Sequence, residues 1–151
     1  MKYKVIIFVI VTIGALFSTN HIKAQNKDAP QSIDSLRIPN NEKLAIIWTS
    51  GDRDVALKMV FMYAYNARRY KWWDDITLIV WGPSAKLLSE DKELQDYMDK
   101  IIDSGIVVKA CKGCTDQYGV SEKLEEIGII VKYIGKELTD HIKEGRKILT
   151  F

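Results

Sequence analysis

Apolar residues fall into short runs along the chain, and between the runs they recur at helical spacing. Five runs are rich in β-branched side chains: 44–49 (LAIIWT), 76–81 (ITLIVW), 106–110 (IVVKA), 129–134 (IIVKYI) and 147–151 (KILTF). The first two scarcely alternate with polar residues, as strands covered on both faces require. Segment 52–70 puts Val55, Met59, Met62 and Asn66 on one helical face and Ala56, Val60, Tyr63 and Ala67 on the adjoining one. Segment 94–102 repeats Leu94, Met98 and Ile101 or Ile102, while 121–127 and 137–144 each run into a glycine, Gly128 and Gly145, where helices stop. Gly82-Pro83-Ser84 reads as the start of a further helix, with Pro83 in its first turn.

Strand and helix alternating four times predict an α/β domain with a five-stranded, mainly parallel sheet. Right-handed crossovers then give a three-layer, flavodoxin-like arrangement. The chain has 151 residues, 47% of them hydrophobic, enough for one domain with a core of its own.

The stretch before the first strand is of another kind. Lys2 and Lys4 precede an apolar run from Val5 to Phe17, and the small Ala24 stands before Gln25. That is the pattern of a secretory signal peptide over residues 1–24, and the run falls short of the roughly 20 residues that span a bilayer. Residues 25–42, with Pro30, Pro39 and several charges but no apolar period, read as a flexible linker. The folded domain is expected over 43–151. The protein is therefore expected to be exported, to a periplasm, with no stable membrane insertion once the leader is cleaved. Loss of the leader removes Lys2, Lys4 and Lys23 and takes the formal charge from +2 to −1. A near-neutral domain without a basic cluster offers nucleic acid no electrostatic footprint.

In open parallel sheets, ligands bind beyond the carboxyl ends of the strands. Four loops should gather there: Thr49-Ser50-Gly51-Asp52, Gly82-Pro83-Ser84, Cys111-Lys112-Gly113-Cys114 and Gly135-Lys136. Ser50, Gly51, Asp52, Gly82, Ser84 and Lys112 are thus candidate ligand-binding residues, although Ser50 and Asp52 equally suit helix capping. Neither GxGxxG nor GxxxxGK[ST] occurs, so no nucleotide cofactor is expected.

Cys111 and Cys114 are the only cysteines. A thiol at a helix start has its thiolate favoured by exposed N–H groups, and Lys109 and Lys112 push the same way. A second thiol within one turn can resolve a disulfide or persulfide on the first. The plainer alternative is a static disulfide that stiffens the loop of a non-catalytic binding or assembly domain. Zinc needs about four ligands, and two cysteines with His141, the one histidine left after leader cleavage, do not supply them, so no metal is expected. His141 itself is expected on an exposed helix face. A thioredoxin-like reading fails on position: the pair follows the third strand, and no proline comes after Pro83.

The segments LAIIWTSGD (44–52), ITLIVWGPSAKLL (76–88), GIVVKACKGCTDQYGV (105–120) and LEEIGIIVKYIG (124–135) together resemble the DsrE/DsrF-like family of sulfur-relay proteins. The most specific piece is a cysteine directly after the third strand, followed eight residues later by Gly-Val, here Cys111 with Gly119-Val120. The resemblance implies a five-stranded parallel sheet and a homo-oligomer. It also implies a persulfide-carrying role for Cys111, with a thiol or sulfur donor or acceptor protein as partner. Cys114 and the leader depart from the relay members of that family, which work in the cytoplasm.

Overall fold

The computed structural model describes residues 42–151; the expected leader and nearly all of the expected linker lie outside the described residues. The five strands are β1 (Lys43–Trp48), β2 (Asp75–Val80), β3 (Val107–Cys111), β4 (Ile130–Lys132) and β5 (Lys147–Thr150). All neighbours pair in parallel, in the order β4-β3-β2-β1-β5. The helices are α1 (Arg53–Val55), which continues through a π-helical segment (Ala56–Phe61) into α2 (Met62–Arg69), then α3 (Pro83–Glu90), α4 (Lys92–Asp103), α5 (Lys112–Tyr118), α6 (Ser121–Glu126) and α7 (Gly135–Lys143). The expected α/β, flavodoxin-like arrangement is therefore the observed one.

The strand order decides which face each helix covers. From β1 to β4 the chain moves one strand at a time in a single direction, so right-handed crossovers place α1 to α6 on one face. From β4 it returns across the sheet to β5, which puts α7 alone on the opposite face. The two apolar clusters follow this division. Leu44, Ile46, Trp48, Leu78, Val80, Val108 and Ala110 meet the helices of the crowded face. Ala45, Ile47, Ile79, Cys111 and Ile134 form a small second cluster, joined by Trp81, Cys114 and Leu138. Burial of each aliphatic side chain in the larger cluster stabilises the fold by roughly 1.5–3 kcal/mol.

The first helix departs from its expected register. Of the two adjoining faces expected, the one with Val55, Met59, Met62 and Asn66 is the more open, with Met59 and Met62 half exposed. The buried set is Ala56, Val60, Phe61, Ala64 and Ala67. The π-helical turn widens the repeat, so that Val60 and its neighbour Phe61 both reach the core. Phe61 then meets Trp48 edge-on at 5.1 Å and Tyr97 at 5.4 Å, a favoured aromatic geometry. Two further differences concern boundaries. The cysteine segment is not an open loop, because Lys112, Gly113 and Cys114 are the first turn of α5. β4 shrinks to three residues at the sheet's edge, where only one neighbour supplies hydrogen bonds.

Candidate functional site

β3 ends at Cys111, whose extended backbone (φ −72°, ψ 110°) caps α5, and Cys114 follows one turn on. Alternation along β3 turns Val108 and Ala110 to the crowded face and Lys109 and Cys111 to the face that α7 covers. The Cys111 thiol therefore sits among Ala45, Ile47, Ile79 and Ile134 and is only 8% exposed. Cys114 is partly exposed, and both are free thiols. Burial pushes the Cys114 thiol up; the Gly82 backbone N–H opposes this, the adjacent Cys111 sulfur adds to it, and Trp81 opposes it. A protonated Cys114 beside Cys111 can donate its S–H to an anionic sulfur there.

α5 ends at Gly119 in the left-handed conformation (φ 67°, ψ 33°), and the Val120 N–H returns to the Thr115 carbonyl at 2.9 Å. Only glycine adopts that backbone cheaply. The Gly-Val step eight residues after Cys111 is thus the stop signal of the helix that Cys111 begins. The buried Thr115 hydroxyl, 2.7 Å from that of Ser121, ties α5 to α6.

The side chains of the candidate ligand-binding residues are largely engaged by the protein around them. Asp52 Oδ1 accepts from the N–H groups of Asp54 (2.7 Å) and Val55 (3.2 Å), and Ser50 Oγ accepts from the Asp52 N–H (3.1 Å). Both side chains serve the start of α1, because its first N–H groups have no helical partner. Ser84 is fully buried; its hydroxyl donates to the Trp48 carbonyl at 2.6 Å and accepts from the Trp81 N–H at 3.1 Å. It pins the ends of β1 and β2 together and is closed to a ligand. Gly51 packs beside Pro83, where a Cβ would lie 3.2 Å from that ring's Cβ. Lys112 Nζ turns along the helix to Asp116 Oδ1 at 2.9 Å. Of the six, only Gly82, through its backbone N–H, acts on a cysteine sulfur. Its backbone (φ 72°, ψ −136°) belongs to the region that glycine alone tolerates well.

Lys109, the other cation expected to favour the thiolate, is likewise engaged. Its ammonium pairs with Glu137 of α7, and Lys132 Nζ reaches the same carboxylate at 2.9 Å. Burial pushes the Glu137 carboxyl up, but the two ammonium groups outweigh it and bring it down to about 2. His141, one turn further, faces Glu137 at 3.5 Å; its side chain is only 13% exposed, contrary to the exposed position expected for it. Burial, aided by the positive charge of Arg146, lowers its pKa and favours the neutral ring. Lys109, Lys132, Tyr133, Lys136, Glu137 and Asp140 line a shallow cavity of about 480 Å³. Among the described residues, no three His, Cys, Asp or Glu side chains converge on a point that could hold a metal ion. Sequence reasoning missed Ile134, Leu138 and Glu137; their long-range placement left no local signal.

Fold and site define a small parallel α/β domain that carries a pair of thiols at the carboxyl edge of its sheet. A sequence model of the DsrE/DsrF-like family matches residues 42–151, and the chain belongs to that family. A conserved protein of unknown function, BT1422 from Bacteroides thetaiotaomicron, is 39% identical to it, with a TM-score of 0.71 over 74% of this chain and 96% of that one. The ychN protein from E. coli shares 20% identity and a TM-score of 0.59, over 73% of this chain and 99% of its own. MTH1491 from Methanobacterium thermoautotrophicum, also of unknown function, shares 16% and 0.58, over 73% and 99%. The last two likenesses are of fold. Among curated protein sequences none matches this chain.

Proposed function

We propose that this is an exported thiol or sulfur-transfer protein in which Cys111 accepts sulfur and Cys114 is the resolving thiol. The single observation that carries the reading is the pairing itself. Two free thiols one helical turn apart stand at the strand-end edge, one in an apolar niche and the other held protonated beside it. An incoming persulfide gives its outer sulfur to the Cys111 thiolate. The donor leaves as a thiolate, and Cys111 keeps the transferred sulfur as a persulfide. The thiolate of Cys114 can later attack Cys111 Sγ, which forms the Cys111–Cys114 disulfide and expels hydrosulfide. The apolar surroundings of Cys111 suit a polarisable, weakly hydrated sulfur chain and keep water from it.

Export follows from the basic, apolar and small-residue order of residues 1–24, and a periplasm suits it. A homo-oligomer is part of the reading as well. Val107, Ile130 and Ile148 lie well exposed on the sheet face that α7 only partly covers, and parallel sheets are ordinarily covered on both faces. The partner would be a protein or small molecule that donates or accepts sulfur as a thiol or persulfide.

The test is the intact mass of protein purified from the exporting cell, before and after reduction, with Cys111→Ser beside it. A reducible gain of one sulfur that Cys111→Ser abolishes is the expected result. Folded protein whose thiols neither gain sulfur from a persulfide donor nor form a mixed disulfide would sink the reading.

A further inference from the structure

We propose that Glu137 is a positioning residue whose carboxylate latches the start of α7 over Cys111, so that loosening the latch opens the thiol to its sulfur partner. The inference rests on the reading of Cys111 as the reacting thiol, and it says how a buried sulfur becomes reachable. Nucleophilic sulfur exchange needs an approach to Cys111 Sγ, yet the side chain is 8% exposed. Its floor is Ala45, Ile47 and Ile79 of the sheet, which cannot move without breaking strand pairs. Its roof on that face is Ile134 and Leu138, from the N-cap and first turn of α7, with Trp81 and Cys114 packed against the same cluster. The roof is the movable part.

α7 is weakly held by apolar contact. None of its own residues is fully buried, and Ile142, its third aliphatic residue after Leu138 and the capping Ile134, is more than half exposed. Lys136 and Asp140 pair with each other along the helix and bind nothing in the sheet. The strong attachment is Glu137, one residue before Leu138. It meets Lys109 on β3 and Lys132 on β4, with His141 beside it. Lys109 lies two residues before Cys111 on the same face, and Lys132 is the register partner of Cys111 across the strands. The latch and the thiol therefore share one pair of strands, and the carboxylate that holds α7 down sits next to the sulfur that α7 covers. Helices held by few apolar contacts open locally at low cost.

The experiment measures the labelling rate of Cys111 by a small and by a bulky maleimide in Cys114→Ser protein, with hydrogen exchange of α7 followed in parallel. Glu137→Gln should raise labelling by about fivefold, more for the bulky reagent, with faster exchange confined to α7. Lys132→Gln, at a half-exposed side chain, should raise it by about twofold and serves as the deciding variant should Glu137→Gln not fold. Lys136→Gln, on the same helix but without a sheet contact, should leave it unchanged. Folded Glu137→Gln or Lys132→Gln with unaltered labelling overturns the latch, as does an equal rise in Lys136→Gln. Failure of Cys111 to take up sulfur would overturn the carrier reading while leaving the labelling result to stand by itself.

Discussion

Lys132 stands directly opposite Cys111 across the β3–β4 pair, on the same face of the sheet, yet its ammonium is given to Glu137 Oε2 2.9 Å away. The cation nearest the thiol by register is thus a partner of a carboxylate on α7. Lys109, two residues before the thiol, meets the same carboxylate, and Lys112, directly after it, pairs with Asp116 of its own helix α5. The surroundings of Cys111 are set by burial, by Cys114 and by the helix it caps, more than by free positive charge.

The Cys114 thiol is raised above its ordinary value of 9.0 by burial, opposed by Gly82, and raised further by the Cys111 sulfur. Removing Cys111 as Cys111→Ser takes away one raising cause and leaves the burial. The pH midpoint for Cys114 alkylation should therefore fall relative to native protein. A rate-against-pH series with iodoacetamide checks this, and a midpoint that rises contradicts the arrangement.

Acid should loosen α7 before the sheet. Glu137 has a folded pKa of about 2 against an ordinary 4.5, so its stabilisation is complete above pH 4.5 and is lost as pH falls towards 2. His141 adds in the same direction: its folded pKa lies below 6.5, so its contribution is present above that pH and wanes as the ring is driven to protonate. At pH 7 Glu137→Gln should cost on the order of 2 kcal/mol, and the gap from native protein should close between pH 5 and pH 2. Urea unfolding at several pH values reads this gap, and one independent of pH would be inconsistent with the ion pairs.

Ser84→Ala should destabilise the fold by about 1–2 kcal/mol, because a fully buried hydroxyl that bridges β1 and β2 is lost. Thiol reactivity should be unchanged, since the side chain is spent on the backbone. A large change in labelling with little change in stability would reassign Ser84 to the site.

Asp52→Ala should cost about 1 kcal/mol through the uncapped N–H groups of Asp54 and Val55. Gly82→Ala meets open space but needs a backbone at φ 72° that a side chain resists, at about 1–3 kcal/mol. Only the glycine variant should alter Cys114 alkylation, because Gly82 directs its N–H at that sulfur whereas Asp52 serves the start of α1. Thermal melts with parallel labelling separate the two.

Much of this was legible along the chain because its causes are local. The dense β-branched run around Ile46 and Ile47 declares a strand covered on both faces. Gly128 and Gly145 mark helix ends by their backbone freedom. The position of Cys111 after the third strand followed from counting strands, and its place at the sheet's carboxyl edge followed from parallel topology. The roles of Ser50, Asp52 and Ser84 were not legible. A hydroxyl or carboxylate in a strand-end loop suits a ligand and a backbone N–H equally well, and only coordinates show which one it meets.

The amino-acid sequence by itself determined the elements, the α/β class and the edge at which the two thiols emerge, since periodicity and turn chemistry act over a few residues. Only the tertiary structure decided that α7 crosses alone to the second face. That crossing brings Ile134 and Leu138 over Cys111 and draws Lys109 and Lys132 to Glu137. Apart from Lys132 with Glu137, those contacts join residues more than twenty positions apart, and they depend on strand order and register, which no local pattern encodes.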